Sequence, residues 1–255
     1  ADATIAPKQV LANNEKKEFE IEFMVPNDIG YSSPYWLDEP GTLGMYAVHD
    51  QKLIGKPETP SVFQAKFVLE FDGMEIEFEK PVIHRFSKPD KGELYEPFAV
   101  LPVATSKIDG KVLIFSDAAT KDIQVKVRAG KNNISGTVRL EHPAGWTVTP
   151  PNFSFFISQK GQEQTVTFKV TPPSVESEGK ISPIITVDNK TYGKELVEIN
   201  YDHIPKQSIL LPSEAKVVRM DIKKSGEHIG YIMGAGDEVP ESLEQIGYQV
   251  HIIDP

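Results

Sequence analysis

The chain has 255 residues, no cysteine and a formal net charge of −10. Without cysteine it cannot form a disulfide, a thiolate zinc site or a cysteine nucleophile. The acidic balance disfavours nucleic acid and anionic membranes as partners, because both attract concentrated Lys and Arg. No apolar run approaches the ~20 residues of a membrane span, so we expect no membrane insertion. The length allows two or three domains.

Residues 1–103 carry the pattern of a first β-domain. Phe19, Ile21, Phe23 and Val25 alternate with glutamates, which is typical of a half-buried antiparallel strand. Further along, Asp72-Gly73 separates two alternating runs and predicts a hairpin, because both central residues of its turn need positive φ. We predict a β-sandwich for residues 1–103.

Residues 104–201 contain about seven short apolar strands with turn residues every 8–12 positions. This spacing predicts an immunoglobulin-like sandwich of two sheets held together by apolar packing alone. Trp146 follows a turn and opens a strand, so we expect it to anchor the core.

Residues 202–255 follow a different pattern. A Pro-flanked stretch over 202–212 predicts a linker, and an apolar strand then leads into Gly234-Ala-Gly236. A helix is expected at Val239–Ile246, because Pro240 lies in its first turn and Gly247 ends it. With the strand that follows, this predicts the first βαβ of an α/β domain. One βαβ cannot cover both faces of a parallel sheet, so we expect the natural protein to continue past Pro255.

The predicted fold class is therefore mainly β: two tandem immunoglobulin-like β-sandwiches followed by a short, incomplete α/β (βαβ) segment. Motifs of serine hydrolases, zinc proteases and P-loop enzymes are absent from the sequence. The histidines are too scattered in sequence to be good metal ligands, so no catalytic or metal site is predicted. They are His49, His84, His142, His203, His228 and His251.

Gly234 and Gly236 allow two interpretations. In one, backbone N–H groups before the helix form an anion nest. In the other, the glycines only permit a tight turn and Asp237 caps the helix. Asp237 and Glu238 place negative charge where a phosphate would bind, which favours the structural interpretation.

Tyr31, Tyr35 and Trp36 lie in a Pro-rich loop and also allow two interpretations. Their flat rings could stack on pyranose faces of a glycan. Alternatively, the loop packs on the sandwich or on a neighbouring domain, since buried aromatic rings dominate packing in cores and interfaces.

Two resemblances follow from longer motifs. The segments Ser135–Leu140, Pro143–Pro150 and Lys160–Pro173 resemble the Ig-like domain associated with the NPCBM carbohydrate-binding module. A second resemblance spans nearly the whole chain: the region downstream of the catalytic domain in large bacterial PIG-L (LmbE-like) deacetylases. It is carried by Pro34–Tyr46, Leu53–Pro57, Gly92–Pro97 and Gly230–Asp237.

The second resemblance implies a zinc-dependent deacetylase of N-acetylated amino sugars, with β-sandwich domains and a glutamine-amidotransferase-like domain behind the catalytic one. The catalytic His-Pro-Asp-Asp signature of the family is absent; Glu141-His-Pro-Ala144 shares only His-Pro. No zinc or catalytic residue therefore transfers to this chain, and zinc is implied only for the absent catalytic domain.

We accordingly expect a non-catalytic accessory or spacer region that positions the catalytic domain or its glycan substrate. The alternatives are a carbohydrate-binding module and a cell-surface adhesion domain. The expected partners are other domains of the same polypeptide, with a glycan as the candidate ligand. The resemblance implies a periplasmic, secreted or cell-surface location in a bacterium.

Overall fold

The computed structural model describes residues 9–26 and 28–254, and it is mainly β-structure, as predicted. A 3-10 helix lies at Gln51–Leu53 and one short α-helix, α1, at Val239–Gln245. The strands in chain order are β1 (Gln64–Phe71), β2 (Met74–Pro81), β3 (Ile83–Lys88), β4 (Gly92–Pro97), β5 (Ala104–Ile108), β6 (Val112–Phe115), β7 (Lys121–Ala129), β8 (Ile134–Glu141), β9 (Thr147–Thr149), β10 (Phe153–Ile157), β11 (Glu163–Thr171), β12 (Ser177–Val187), β13 (Lys190–Tyr192), β14 (Lys194–Ile199), β15 (Gln207–Pro212), β16 (Ala215–Arg219), β17 (His228–Tyr231) and β18 (Gln249–Ile252).

Two sheets face each other in the central part of the chain. One has the order β10-β8-β12-β16-β6, with β13 also paired to β12, and the other has the order β5-β7-β11-β9. Alternate residues of each strand point into the shared core; in β7 these are Ile123, Val125 and Val127, each at most 5% exposed. Burying one such side chain contributes roughly 1.5–3 kcal/mol, so the apolar alternation itself holds the sheets together.

The sandwich extends past the predicted boundary at residue 201. The segment expected to be a linker contains β15, which pairs antiparallel with β14 from Lys194↔Pro212 to Ile199↔Gln207. The next strand, β16, pairs with β12 and runs parallel to β6, so it lies inside the larger sheet. Pro212 suggested a linker in sequence, yet it is tolerated here because β14 and β15 form a two-stranded sheet, in which both strands are edge strands. The sandwich therefore comprises residues 104–219.

Before residue 104, the described residues form two separate hairpins instead of two packed sheets. The strands β1 and β2 pair around Asp72-Gly73, whose φ angles of 46° and 75° confirm the predicted turn, and β3 pairs with β4. The apolar face of the first hairpin, which includes Phe67 and Ile76, stays exposed. Residues 19–25 are not assigned to a strand. Alternation predicts which face of a strand is apolar but not what covers that face. The predicted sandwich for residues 1–103 therefore differs from the two hairpins that the structure describes. Residues 1–8 lie outside the described part.

The C-terminal segment forms the predicted strand–helix–strand unit. The strands β17 and β18 pair in parallel, from His228↔Gln249 to Tyr231↔Ile252, with α1 as the crossover. Pro240 lies in the first turn of α1, and Gly247 follows its end with a φ of 93°. Within the described residues no helix is long and apolar enough to span a membrane.

Candidate functional site

The helix α1 is attached to the edge of the sandwich through the side chain of Gln245. Its Oε1 accepts a hydrogen bond from the backbone N–H of Ile114 at 2.7 Å, and its Nε2 donates to the carbonyl oxygen of Val112 at 3.3 Å. Both partners belong to β6, the edge strand of the larger sheet. The side-chain amide thus makes the pair of bonds that a further strand would make with its backbone.

Lys121 reinforces this attachment from the start of β7. Its Nζ donates to the carbonyl oxygens of Ile114 at 2.6 Å and of Gln245 at 2.5 Å, and lies 5.3 Å from the centre of the Phe115 ring. Burial lowers the pKa of the Lys121 ammonium, against the opposite effect of Asp117. We call Gln245, Lys121 and the β6 residues Val112 and Ile114 the junction latch.

A cleft of about 610 Å³ lies at the other end of the sandwich. One wall comes from the residues before 100, including Tyr31, Ser33, Glu58 and Glu96. The opposite wall belongs to the sandwich, including Arg128, Lys160, Glu198 and Lys206. The volume is in the range of small-molecule sites, which are typically ~300–1,000 Å³.

An ion-pair network lies in the sandwich wall of the cleft. Glu198 accepts from Arg128 Nη2 at 2.6 Å and from Lys206 Nζ at 2.7 Å. Burial alone would raise the pKa of Glu198, but the hydrogen bonds from Lys206 and Arg128 outweigh it and hold the pKa below its ordinary value. The carboxylate is therefore ionised near neutral pH and orders both cations.

The loop of the opposite wall is attached to the segment that leads into β5. Ser32 N–H donates to the carbonyl oxygen of Val100, and Val100 N–H donates to Ser32 Oγ, both at 2.8 Å. Thr59 bridges the loop internally, because its Oγ1 donates to Ser33 O and accepts from Tyr35 N–H. The neighbouring Ser33 Oγ is buried without a hydrogen-bond partner.

The structure separates the three aromatic residues predicted to contact a glycan. Tyr31 lines the cleft and is 49% exposed. Tyr35 and Trp36 are half-buried and pack edge to face at 4.8 Å, with the Tyr35 hydroxyl donating to Lys56 O at 3.1 Å. Tyr31 alone of the three lines the cleft; whether any of them contacts a glycan stays a prediction.

At the predicted anion nest, a carboxylate of the chain itself occupies the turn. Asp237 accepts hydrogen bonds from the backbone N–H of Val239, at 3.0 Å, and from the Tyr231 hydroxyl. These bonds, with a further one from Gly234 N–H, hold the pKa of Asp237 below its ordinary value. Gly236 has a φ of 69°, which an L side chain rarely adopts. The geometry supports the structural interpretation of Gly234 and Gly236.

Two histidines that are far apart in sequence meet in the C-terminal unit. Parallel pairing of β17 and β18 brings His228 Nδ1 within 3.0 Å of His251 Nε2. Among residues 9–26 and 28–254, no group of three or more metal-ligating side chains is assembled. The histidine pair is therefore a local contact between exposed rings.

Sequence reasoning missed the junction latch and the sandwich wall of the cleft. Gln245 is one polar residue on a short helix, 131 positions from its partner Ile114, and nothing local indicates the contact. The ion-pair network joins β7, β14 and Lys206, which immediately precedes β15. Alternation in β7 places Arg128 on the face opposite Val125 and Val127, but it does not indicate which residue Arg128 pairs with.

Comparisons with known proteins give no family assignment. No known family and no curated protein matches the chain. Among solved structures, it is similar to WR4, a C. elegans MSP family member, with 10% identity, a TM-score of 0.26, and coverage of 45% of this chain and 97% of the other. It is also similar to E. coli alpha-2-macroglobulin, with 11% identity, a TM-score of 0.31, and coverage of 59% and 9%.

A third similar structure is the third ScaB cohesin of R. flavefaciens, solved in complex with a group 1 dockerin. Its identity is 13% and its TM-score 0.27, over 45% of this chain and 94% of the other. The assignment of a β-sandwich to this chain rests on its own strand pairing and core, described above, and not on these similarities.

Proposed function

We propose that this chain is a non-catalytic accessory region that holds protein units in a fixed arrangement around an immunoglobulin-like sandwich. The observation that carries the proposal is the junction latch, where one side-chain amide makes both a donor and an acceptor bond to the same edge strand. Such a pair of bonds fixes orientation as well as distance, because both bonds require the amide plane to follow the strand.

The junction latch contributes a modest free energy but restricts the orientation of the helix strongly. Each hydrogen bond contributes a net ~0.5–1.5 kcal/mol, and the bonds from Lys121 add a charged donor. The latch also blocks β6 from pairing with another chain, because Gln245 takes up the free backbone groups of this edge. A connector needs both properties: a defined angle and a protected edge.

We further propose that the parent protein is a PIG-L-type N-acetyl-sugar deacetylase located outside the bacterial cytoplasm. The support is the sequence resemblance of Pro34–Tyr46 and Gly230–Asp237 to the downstream region of that family. In this proposal the chain positions the catalytic domain, and the zinc ion belongs to that domain.

The latch is tested with Gln245→Leu, which keeps the approximate volume and removes both hydrogen bonds. The backbone amide of Ile114 should then exchange with solvent at least tenfold faster, measured by NMR hydrogen exchange, while amides of β7 stay unchanged. Gln249→Leu is the matched control, since Gln249 takes no part in the latch. Unchanged protection of Ile114 in Gln245→Leu would contradict the proposal.

The absence of catalysis is tested on the purified chain supplied with zinc. We expect no release of acetate from N-acetylglucosamine or its oligomers above the rate of a buffer control. Acetate release that scales with protein concentration would overturn the non-catalytic assignment.

A carbohydrate-binding module is a second candidate, favoured by the half-exposed ring of Tyr31 in the cleft. It predicts saturable binding on a glycan array that Tyr31→Ala abolishes and that Tyr46→Ala, also exposed but outside the cleft, leaves intact. A blank array for the wild-type chain would exclude this candidate.

A further inference from the structure

The two walls of the cleft carry opposite charge. On the sandwich side, three cationic side chains and one carboxylate leave an excess of positive charge: Arg128, Lys160, Lys206 and Glu198. Glu198 is shared between Arg128 and Lys206, so neither of these cations has a carboxylate to itself. An anionic group in the cleft would complete their charge balance.

The opposite wall presents carboxylates. Glu58 and Glu96 both line the cleft, with His84 opposite Glu96 on the neighbouring strand. Glu96 is held on β4 by the register with β3, and Glu58 precedes Thr59, whose hydroxyl fixes the loop. Neither carboxylate forms an ion pair within the described residues, so both can receive a cationic group.

The space between the walls is lined by both polar and apolar residues and is of small-molecule size. Residues that carry hydroxyl groups line it, among them Tyr31, Ser33, Thr105 and Ser208. The volume of about 610 Å³ accommodates a ligand the size of a short peptide.

We propose that this cleft binds a zwitterion, namely an α-amino acid or short peptide with free termini. Its carboxylate lies against Arg128, Lys160 and Lys206, and its ammonium lies against Glu58 and Glu96. The inference does not rest on the connector function, because the cleft and the junction latch share no residue.

Charge placement favours this ligand over a neutral saccharide. A saccharide would use the hydroxyls and the ring of Tyr31, but it would leave Lys160 on one wall and Glu58 and Glu96 on the other without an ion-pair partner among the described residues. A simple anion or cation would satisfy one wall and be repelled by the other. Complementary charge at both ends supplies specificity as well as attraction.

The test compares matched probes by isothermal titration calorimetry at low ionic strength. The probes are dialanine, N-acetyl-dialanine, which lacks the ammonium, and dialanine amide, which lacks the carboxylate; cellobiose represents a neutral saccharide. Dialanine should bind with 1:1 stoichiometry, and each blocked derivative should bind at least tenfold more weakly. Cellobiose should bind more weakly than dialanine as well.

Variants assign each end of the ligand to a wall. Glu96→Gln should weaken the binding of dialanine at least fivefold and leave the binding of N-acetyl-dialanine unaffected. Lys160→Gln should also weaken the binding of dialanine at least fivefold, but leave the binding of dialanine amide unaffected. Glu93→Gln on the same strand and Lys169→Gln on the outer face of the sandwich are the controls, since neither lines the cleft. Circular dichroism verifies that each variant is folded.

The proposal is overturned if dialanine does not bind at millimolar concentration, or if the blocked derivatives bind as tightly as dialanine. Tighter binding of cellobiose would assign the cleft to saccharides and reject the zwitterion. Amide exchange at Ile114 is independent of all these probes, so the connector function stands or falls separately.

Discussion

Trp146 anchors one end of the sandwich core, as its position after a turn predicts. The side chain is 2% exposed, lies edge to face with Phe115 at 5.0 Å between ring centres, and donates from Nε1 to Ser177 Oγ at 3.1 Å. The ring is packed in the core and its N–H group has a hydrogen-bond partner, as is usual for a buried indole.

Trp146→Ala should therefore lower the free energy of unfolding by about 3–5 kcal/mol, because it leaves a large cavity and an unpaired Ser177. Urea denaturation followed by far-UV circular dichroism measures the change. Trp36→Ala is the control; its half-buried ring should cost much less. Equal losses for the two variants would show that Trp146 is not a core anchor.

Glu198 gives the sandwich a defined response to acid. Because its pKa is lower in the folded state than its ordinary value of 4.5, its contribution to stability is fully present above about pH 4.5. The contribution is lost as the pH falls through the lower folded pKa, when protonation breaks the pairs with Arg128 and Lys206.

Thermal unfolding at several pH values tests this response. Between about pH 6 and pH 3 the wild-type melting temperature should fall more than that of Glu198→Gln, since the variant has no carboxylate at position 198 to protonate. Glu163→Gln serves as a control with an exposed carboxylate, and should follow the wild type. Parallel curves for wild type and Glu198→Gln would refute the assignment.

At the scale of single elements, β8 depends on a glycine at the point where it lies between β10 and β12 in the larger sheet. A Cβ at Gly136 would lie 2.3 Å from the backbone oxygen of Thr186 and 3.1 Å from the ring of Phe155. Because backbone lies on one side of this position and a core ring on the other, neither neighbour can move aside to accommodate a Cβ atom. The glycine therefore permits β8 to lie between β10 and β12 at normal spacing.

Gly136→Ala should destabilise the sandwich by about 1–3 kcal/mol or more, because the strands on both sides would have to shift. Gly161→Ser is a useful contrast: its site is open, and only its φ of 84° opposes the change. Guanidinium unfolding monitored by tryptophan fluorescence compares the two. A Gly136→Ala variant as stable as the wild type would show that the sheet spacing is looser than described.

The two edges of the larger sheet show what sequence patterns leave out. Gln245 covers β6, and at the other edge Gln164 Oε1 accepts from the backbone N–H of Phe156 at 3.3 Å. The short apolar runs of β6 and β10 predicted the strands themselves. It could not predict the glutamines, because an amide that bonds to a strand edge has no local signature distinguishing it from a solvated one.

At the scale of the whole molecule, the sequence predicted the central sandwich well and its surroundings less well. Strands within 104–201 were predictable because burial against a facing sheet imposes strict period-2 alternation. The strand β16 was placed in a later unit, since pairing with β12 and β6 depends on chain reversal and not on composition. Alternation at Phe67 and Ile76 was correct, but the expected opposing sheet is absent from the described residues.

The central claim is that the latch fixes the C-terminal unit on the sandwich, and amide residual dipolar couplings test it most directly. In a weakly aligning medium, couplings from residues 104–219 and 228–252 should fit one alignment tensor. In Gln245→Leu the two sets should need separate tensors, with the 228–252 tensor reduced in magnitude by averaging. Two unlike tensors in the wild-type chain, or one shared tensor in Gln245→Leu, would contradict the account.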